Sequence, residues 1–346
     1  MKPFMVNVAE PCSDMTWRQC YSGSYDLWSP ESYSHPAKMS PALCFRILSH
    51  LEGLGLLNKG DTILDFLGGI GTTCLAAGTL GYRSIMVELE EKFIDLARQN
   101  KAHVERRLGR PLDMTIIQGD ARQLSQLLQE RGLIALTSPP YGEAMDNKGK
   151  RHGNSGICGR DPKMVKMRYD EEGNPANIGN LPDRVESHLV SVVSPPYEDS
   201  SSQGASNGID SPEWRAKRKS AGRVKLQPYE AEGQIGQECN ESYMDAVRQV
   251  YTEASKVADV LVVVVKDPTR NKKLHPLGEL TAQLLEQCGW RIVDYHFALL
   301  FEEQEQGHLF EKSKKKVRGR LSFFKRLSWQ KGSPVADGEH ILICQR

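Results

Sequence analysis

Two patterns of apolar and polar positions follow one another along the first part of this chain, one typical of helices and one typical of buried strands. A helical spacing of leucines and isoleucines begins at Pro41, and short apolar runs separated by amphipathic stretches follow it. The predicted strands are residues 62–66, 84–88 and 114–117, and the predicted helices between them are residues 72–80, 91–108 and 121–130. This alternation is typical of an α/β protein in which helices cover both faces of a parallel sheet.

The rhythm stops after a fourth predicted strand at residues 133–137 and returns about a hundred residues later. Residues 142–240 are rich in Gly, Asn, Ser, Arg and Lys, and they are too long for an ordinary loop. We therefore predict an irregular insertion there. The pattern then predicts helices at 242–256 and 277–288 and strands at 260–266, 291–297 and 340–344.

Composition narrows the class of protein. Hydrophobic residues make up 39% of the 346 positions, which is enough for a sizeable core and predicts a soluble globular protein. The eight cysteines include no C-x-x-C pair, which argues against a zinc knuckle or a disulfide framework and favours the reducing cytoplasm. The N-terminus has no apolar signal-like stretch, and the longest apolar run, 260–265, is too short to cross a membrane.

A glycine-containing turn follows the first strand of the alternating region. The strand ends at Asp65, and the chain then passes through Gly69 and Gly71 into a helix that begins near Thr72. Glycines at such a turn let the backbone approach a ligand closely, which suits a nucleotide. Cys74 stands where a third glycine would complete the dinucleotide pattern, so that pattern is not met.

Carboxylates end the next two predicted strands. Glu88 lies about twenty residues beyond the glycine turn, where an acid can accept both hydroxyl groups of a ribose. Asp120 follows the third strand in the same way. Because the carboxyl ends of parallel strands share one edge of the sheet, the turn and both acids predict a single cofactor site.

The motif Ser-Pro-Pro-Tyr occurs twice, each time after an apolar run, at 138–141 and at 194–197. The exocyclic amine of a nucleobase is a poor nucleophile because its lone pair is delocalised into the ring. A serine hydroxyl and the following proline carbonyl can accept its two N–H bonds, while the prolines keep the turn rigid. The tyrosine offers a flat face to a base rotated out of its stack.

Together these motifs resemble those of the S-adenosylmethionine-dependent DNA amino-methyltransferases. The sequence Thr-Ser-Pro-Pro-Tyr is most similar to the motif of their cytosine-N4 branch. The resemblance covers roughly residues 30–150 and 240–346. It implies a Rossmann-like methyltransferase fold, mostly parallel, with an antiparallel C-terminal edge strand. It also implies S-adenosylmethionine as cofactor, and its binding residues would be Asp65, Leu67, Gly69, Gly71, Thr72, Glu88, Asp120 and Lys38.

Within this resemblance, Asp120 would read the adenine amino group of the cofactor, and the segment around Lys38 would pack over its methionine end. The family writes the glycine motif Asp-Pro-Phe-x-Gly-x-Gly-Thr, whereas this chain has Phe66 and Leu67 at the second and third positions. The departure keeps both glycines and removes the aromatic residue from position 67.

Either copy of the Ser-Pro-Pro-Tyr motif can be catalytic. We favour Ser138, Pro139, Pro140 and Tyr141, because their strand follows Asp120 after one helix, as a fourth parallel strand must. The alternative copy is Ser194, Pro195, Pro196 and Tyr197, which becomes the active one if residues 142–190 form the excursion.

The proposed transfer needs alignment and electrostatics, and neither a metal nor a protein nucleophile. A C5-cytosine enzyme would need a Pro-Cys nucleophile after the fourth strand. The pair at 11–12 precedes the cofactor motif, so this chemistry is disfavoured.

The predicted division is an irregular arm at 1–30, a cofactor-binding and catalytic half at 31–141, the insertion at 142–240 as target-recognition region, and a C-terminal half at 241–346. Double-stranded DNA is the expected partner, and a cognate restriction endonuclease would be a second one in a restriction-modification context. Net charge is only +1, so binding must depend on local basic clusters. The predicted DNA-binding residues are Arg215, Lys217, Arg218, Lys219, Lys315 and Arg318.

Several alternatives stay open at this point. Adenine-N6 and cytosine-N4 enzymes share one mechanism, an RNA methyltransferase could use the same site, and protein-glutamine methyltransferases use a related Asn-Pro-Pro-Tyr turn. A non-catalytic DNA-binding relative and, from the fold alone, a nicotinamide dehydrogenase are the remaining candidates. The target sequence and the oligomeric state cannot be read from the chain.

Overall fold

The structure is a computed structural model, and it describes most of the two predicted methyltransferase halves. The described residues are 15–21, 25–35, 38–131, 188–196, 231, 234–235, 240–270, 273–308, 311–319, 334 and 336–346. The first Ser-Pro-Pro-Tyr motif, its preceding strand and Tyr197 lie outside them.

An eight-stranded sheet forms the centre of the fold. Its strands are β1 (Thr16–Trp17), β2 (Thr62–Asp65), β3 (Arg83–Glu88), β4 (Met114–Gln118), β5 (Leu189–Val193), β6 (Val260–Val265), β9 (Arg291–Leu299) and β12 (Gly338–Gln345). They lie in the order β1-β9-β12-β6-β5-β2-β3-β4. Strand β12 pairs antiparallel with β6 and β9, and the other neighbours in this sheet pair in parallel.

This arrangement confirms the predicted α/β fold with a mostly parallel sheet and an antiparallel C-terminal strand. Beyond β12 the sheet continues through β9 to β1, which pairs with β9 at the edge. Strand β1 falls in the segment predicted as an irregular arm. Two residues are too few to show the alternation of apolar and polar positions that marks a strand, so β1 is recognisable only from its pairing with β9.

Strand β5 changes the predicted boundaries. It lies within residues 142–240, the range predicted as an insertion, yet it pairs with β2 on one side and β6 on the other. Leu189–Val193 therefore occupies the place between β2 and β6, whereas the fourth parallel strand was predicted at residues 133–137. The range 142–240 is thus not one uninterrupted excursion from the sheet.

Six α-helices accompany the sheet in the described part of the chain. They are α1 (Pro41–Gly53), α2 (Thr72–Thr79), α3 (Glu91–Leu108), α4 (Leu124–Glu130), α5 (Asn240–Ser255) and α6 (Leu277–Gln287). The longest, α3, has an acid in its first turn, Arg106 and Arg107 in its last turn, and Gly109 in the left-handed conformation at its end. These features complement the helix dipole and stop the helix.

Two apolar layers enclose the sheet. Residues of α1, α2 and α3 pack on one face, and residues of α4, α5 and α6 pack on the other. Strand β6 contributes to both, since Leu261, Val263 and Val265 belong to one layer and the alternate valines belong to the other. A continuous apolar run is what a central parallel strand requires.

Two small hairpins lie outside the main sheet. Strands β7 (Thr269–Arg270) and β8 (Lys273–Leu274) form one, and β10 (Phe301–His308) and β11 (Glu311–Gly319) form the other, both antiparallel. In the part of the chain that the structure describes, the helices are all too short or too polar to cross a bilayer.

Candidate active site

The glycine turn leaves the carboxyl end of β2 and leads directly into α2. Gly69 and Gly71 have φ angles of 52° and 82°, in the left-handed region that side chains other than glycine rarely adopt. A Cβ on Gly71 would lie 3.0 Å from Met114 Cε, and one on Gly69 would lie 3.2 Å from His35 Nε2. Both positions therefore need glycine for conformation and for space.

Glu88 holds this turn from the end of β3. Its Oε2 accepts the N–H of Gly69 at 2.8 Å, and its Oε1 accepts the N–H of Glu90 at 2.9 Å. The carboxylate is buried, and burial raises its pKa to about 7. A buried acid at a strand end beside the glycine turn fits the predicted ribose-binding position.

Asp65 ends β2 at the start of the turn. Its Oδ1 accepts the N–H of Leu67 at 3.1 Å, so the side chain fixes the first bend after the strand. Asp65 is also buried, and burial raises its pKa to about 6. Leu67, the departure from the family motif, is half-buried and packs against the apolar layer on one face of the sheet.

Asp120 follows β4 and caps the short 3-10 helix Ala121–Gln123. It accepts the N–H of Arg122 at 2.9 Å and forms an ion pair with the Arg122 guanidinium at 2.5 Å. The adjacent Gly119 N–H donates to the Glu88 carbonyl at 3.0 Å, which holds the two strand ends together. Asp120 is thus at the predicted edge of the sheet, with its carboxylate already paired to a cation.

The segment before α1 packs over the glycine turn. Trp28 Nε1 donates to Thr72 Oγ1 at 3.1 Å, and the ring of His35 contacts that of Phe93 with 4.2 Å between centroids. Lys38 Nζ donates to the His35 carbonyl at 2.6 Å. The predicted contact segment around Lys38 therefore lies next to Gly69 through His35.

Asn100 on α3 joins this segment to the turn, and sequence reasoning missed it. The side chain is fully buried, its Oδ1 accepts from Ser29 N at 2.8 Å and Ser32 Oγ at 2.7 Å, and its Nδ2 donates to the Ile70 carbonyl at 3.0 Å. An amide on the otherwise apolar face of an amphipathic helix was the signal that could have identified it.

The second Ser-Pro-Pro turn begins where β5 ends. Ser191 Oγ donates to the Leu64 carbonyl at 3.0 Å, tying β5 to β2, and the Tyr243 hydroxyl of α5 donates to the Pro196 carbonyl at 3.2 Å. Ser194 is half-buried and Pro195 is buried. Since β2 and β5 are parallel neighbours, this turn and the glycine turn leave the sheet at the same edge.

A third segment contacts this edge through Glu90. Its Oε1 accepts the N–H of Ala231 at 2.9 Å and the amide of Gln234 at 3.3 Å, and Lys92 lies 3.5 Å from its Oε2. Ala231 and Gln234 belong to the predicted insertion. Part of that range therefore packs beside the residues that hold the glycine turn.

The site residues fit S-adenosylmethionine, whose ribose and amino acid ends are polar. The acid at the end of β3 can accept ribose hydroxyls, and the start of α2 carries no side-chain cap, so a bound ligand could accept its first N–H groups. The glycines allow the left-handed backbone that turns β2 into α2. When bound, this cofactor would supply an activated methyl group.

The predicted DNA-binding residues are only partly described. Lys315 and Arg318 lie in β11, where their Cα partners on β10 are Glu305 and Glu302. Arg215, Lys217, Arg218 and Lys219 lie outside the described residues. Their role in binding DNA stays a prediction.

Comparison with known proteins gives one family match and several partial likenesses. A curated relative, the tRNA (guanine(10)-N2)-dimethyltransferase of Methanothermobacter thermautotrophicus, is 30% identical over 119 residues, which cover 34% of this chain and 32% of the relative. The chain thus spans about a third of that relative's length.

Two solved methyltransferase structures overlap more of the chain but loosely. A precorrin-6y C5,15-methyltransferase from Geobacter metallireducens has a TM-score of 0.36 at 11% identity and covers 93% of this chain and 94% of its own. Magnesium protoporphyrin IX methyltransferase from Synechocystis with bound S-adenosylmethionine has a TM-score of 0.38 at 8% identity. The overlap covers 88% of this chain and 79% of that methyltransferase chain.

The family model for DNA methylases of the N6 and N4 type matches residues 11–99. The matched range contains β1, α1, the glycine turn and Glu88, and it ends within α3. It stops before β5 and both copies of the Ser-Pro-Pro-Tyr motif. Over residues 11–99, this chain is similar to the DNA methylase family of N6 and N4 methyltransferases.

Proposed function

We propose that this protein is an S-adenosylmethionine-dependent methyltransferase that modifies the exocyclic amine of a base in DNA, with cytosine N4 as the favoured target. The observation that carries the proposal is the position of β5. It lies directly beside β2, so the Ser194 turn leaves the sheet next to the glycine turn that Glu88 holds.

We assign the catalytic role to the second motif, Ser194 to Tyr197, in place of the copy at Ser138. A fourth parallel strand beside β2 is the position that the motif needs, and Leu189–Val193 holds it. The hydrogen bond from Tyr243 to the Pro196 carbonyl holds the turn, and in this proposal the Ser194 hydroxyl and the Pro195 carbonyl accept the amine.

The chemistry follows from these groups. The Ser194 hydroxyl and the Pro195 carbonyl accept the two N–H bonds of the amine, so its lone pair is directed at the methyl donor. The bound cofactor would supply the methyl group from its sulfonium and leave as a neutral thioether, and the amine would release one proton to solvent. Positioning contributes most of the rate, because the leaving group is already activated.

A second candidate substrate is a guanine N2 amine in tRNA. It is favoured by the name of the relative that is 30% identical over 119 residues, which acts on guanine N2. The two substrates share the chemistry of a planar exocyclic amine, and they differ in the nucleic acid that presents it.

The test is methyl transfer from radiolabelled S-adenosylmethionine to duplex DNA and, separately, to unmodified tRNA, followed by mass spectrometry of the nucleosides. Label in N4-methylcytosine supports the proposal as stated. Label in N6-methyladenine would mean that the target is adenine N6 and not cytosine N4. Label found only in N2-methylguanine of tRNA would mean that the substrate is tRNA and not DNA. If neither the DNA nor the tRNA is labelled although calorimetry shows that the cofactor binds, the proposal of nucleic-acid methylation is wrong.

A further inference from the structure

Three side chains from α1 and β9 converge on one point. His50 lies in the last turn of α1, and Asp294 and His296 lie two residues apart on β9. Alternate residues of a strand share one face, so both β9 side chains point towards α1. These three residues are the group within the described chain whose ligand atoms come close enough together to hold a metal ion.

Their polar atoms form a small triangle. His50 Nε2 lies 2.7 Å from Asp294 Oδ2, His296 Nε2 lies 3.0 Å from the same oxygen, and the two nitrogens are 2.9 Å apart. His296 and Asp294 are buried, whereas the His50 side chain is 21% exposed. An ion would therefore have two shielded ligands and one ligand that opens to solvent.

Hydrogen bonds alone explain this triangle poorly. If both Nε2 atoms donated to Asp294 Oδ2, each hydrogen would lie about 1.9 Å from that oxygen. In a nearly equilateral triangle the two hydrogens would then also lie about 1.9 Å apart, which is well inside their contact distance. A cation bound by two deprotonated nitrogens and one carboxylate removes this conflict.

The surroundings hold the ligands in place. Tyr295 N–H donates to Asp294 Oδ1 at 2.8 Å, which fixes the carboxylate while Oδ2 faces the histidines. The Trp17 ring stacks on His296 with 4.2 Å between centroids and meets the edge of His50 at 5.2 Å. Fixed ligand orientation from neighbouring groups is what metal sites require.

We propose that His50, Asp294 and His296 bind a divalent transition-metal ion, with Zn²⁺ as the probe, and that this ion ties α1 to β9. Imidazole nitrogens with a carboxylate suit such ions, whose bonds to nitrogen and oxygen are about 2.0–2.2 Å. An ion roughly 2.1 Å from all three atoms would sit roughly 1.3 Å out of their plane. Water completes the coordination on the exposed side of His50.

The ion would join distant parts of the chain. His50 precedes the glycine turn, and Asp294 lies 244 residues later. Trp17 of the edge strand covers the histidines, so the site also holds β1 against the sheet. The role is structural and is separate from the methyl-transfer residues, which lie at the ends of β2, β3 and β5.

The experiment uses the full chain, dialysed against a chelator and then titrated with Zn²⁺ by calorimetry, with bound metal counted by elemental mass spectrometry. We expect the wild type to bind one equivalent more than His50→Ala or Asp294→Asn, and each substitution to weaken binding at this site by roughly a hundredfold or more. Zn²⁺ should raise the Tm of the wild type by a few degrees, and this rise should shrink in both variants.

Asp294→Asn keeps the shape of the side chain, so its loss of binding is not a consequence of an unfilled cavity. His103→Ala is the matched control, since His103 is a surface histidine 3.0 Å from Asp26 and should keep the full stoichiometry. Equal stoichiometry and affinity in wild type, His50→Ala and Asp294→Asn would overturn the proposal. Failure of the wild type to bind stoichiometric Zn²⁺ would overturn it as well.

Discussion

At the scale of single residues, Asp65 and Glu88 are the two groups of the candidate site whose charge is most affected by burial. Burial raises the pKa of Glu88 from 4.5 to about 7 and that of Asp65 from 3.8 to about 6. Each also accepts backbone N–H bonds that hold the glycine turn. The same burial that orders the turn therefore costs stability when the carboxylates ionise.

Stability should accordingly depend on pH through Glu88. An acid with a higher pKa in the folded than in the unfolded chain binds more protons when folded, so its contribution to the free energy of unfolding falls as pH rises. For Glu88 this fall covers the window from about 4.5 to 7 and is on the order of 3 kcal/mol. Glu88→Gln should reduce the fall, measured by urea denaturation at several pH values.

The amide that Glu88→Gln introduces has a single oxygen and can accept only one of the two N–H bonds, so the variant also loses a pH-independent increment of about 1 kcal/mol. The diagnostic quantity is therefore the pH slope and not the absolute stability. Glu91→Gln, at an exposed acid of α3, is the control and should keep the wild-type slope. A Glu88→Gln protein with an unchanged slope would show that Glu88 ionises normally.

Ser194 is the second residue whose role can be measured directly. Because its hydroxyl is proposed to act on the amine in the transition state, Ser194→Ala should lower kcat by roughly a hundredfold and leave cofactor affinity unchanged. Ser138→Ala is the matched change in the other copy and should keep near-wild-type kcat. The reverse result would restore the first motif, Ser138 to Tyr141, as the catalytic one.

At the scale of elements, the buried Asn100 of α3 connects the segment 25–35 to the glycine turn. Asn100→Ala would leave Ser29 N, Ser32 Oγ and the Ile70 carbonyl without this partner in a buried place. Each unpaired buried group costs about 1–3 kcal/mol, so we expect a loss of about 3 kcal/mol in the free energy of unfolding. Chemical denaturation of the full chain would measure it.

A control for Asn100 lies on the same helix. His103 pairs with Asp26 of the same segment at 3.0 Å, but both side chains are partly exposed, so His103→Ala should cost under about 1 kcal/mol. Similar losses in the two variants would mean that the Asn100 hydrogen bonds do not stabilise the segment. Cofactor affinity should fall only in the Asn100 variant, because only Asn100 contacts the turn.

Elements with a strong internal period were predictable, and those defined by pairing were not. The residues of β2, β3, β4 and β6 carry an apolar run that any buried strand needs, and each was found close to its observed position. The choice between the two strands before a Ser-Pro-Pro-Tyr motif could not be made in this way. Their local patterns are alike, and only the pairing of Leu189–Val193 with β2 and β6 distinguishes the described one.

The residues of the candidate site also fall into two groups, those marked by a local sequence pattern and those recognisable only from distant contacts. The turn at Gly69 and Gly71 and the acid Glu88 beside it were predictable because glycines and a strand-end acid mark this kind of strand-to-helix turn. Asn100, Tyr243 and His50 act through partners between 30 and 246 residues away. No local pattern encodes contacts at such separations.

At the scale of the whole molecule, charge is nearly balanced, with 45 basic and 44 acidic residues. A protein with a net charge of +1 has no general attraction for a polyanion, so DNA binding must depend on clusters. The two predicted clusters differ in their setting. Lys315 and Arg318 have Glu305 and Glu302 as their Cα register partners in the β10–β11 hairpin, and opposite charges at opposed strand positions generally offset each other.

The cluster at 215–219 has a different composition, with four basic residues in five positions and one nearby acid, Glu213. If it contacts phosphates, each contact contributes about −0.9 to the slope of log affinity against log salt. Replacing Arg215, Lys217, Arg218 and Lys219 by Ala should therefore flatten that slope by up to about 3.6, measured by fluorescence anisotropy with labelled duplex DNA.

The double variant Lys315→Ala, Arg318→Ala removes residues whose register partners on β10 are Glu305 and Glu302, so we expect it to change the slope by less than about 1. Cofactor affinity should be insensitive to salt in all three proteins, since it depends on buried groups at the ends of β2 and β3. If the double variant flattens the slope and the quadruple variant does not, the hairpin is the phosphate-binding surface. The residues of the range 142–240 would then act on the target base without carrying the electrostatic part of DNA affinity.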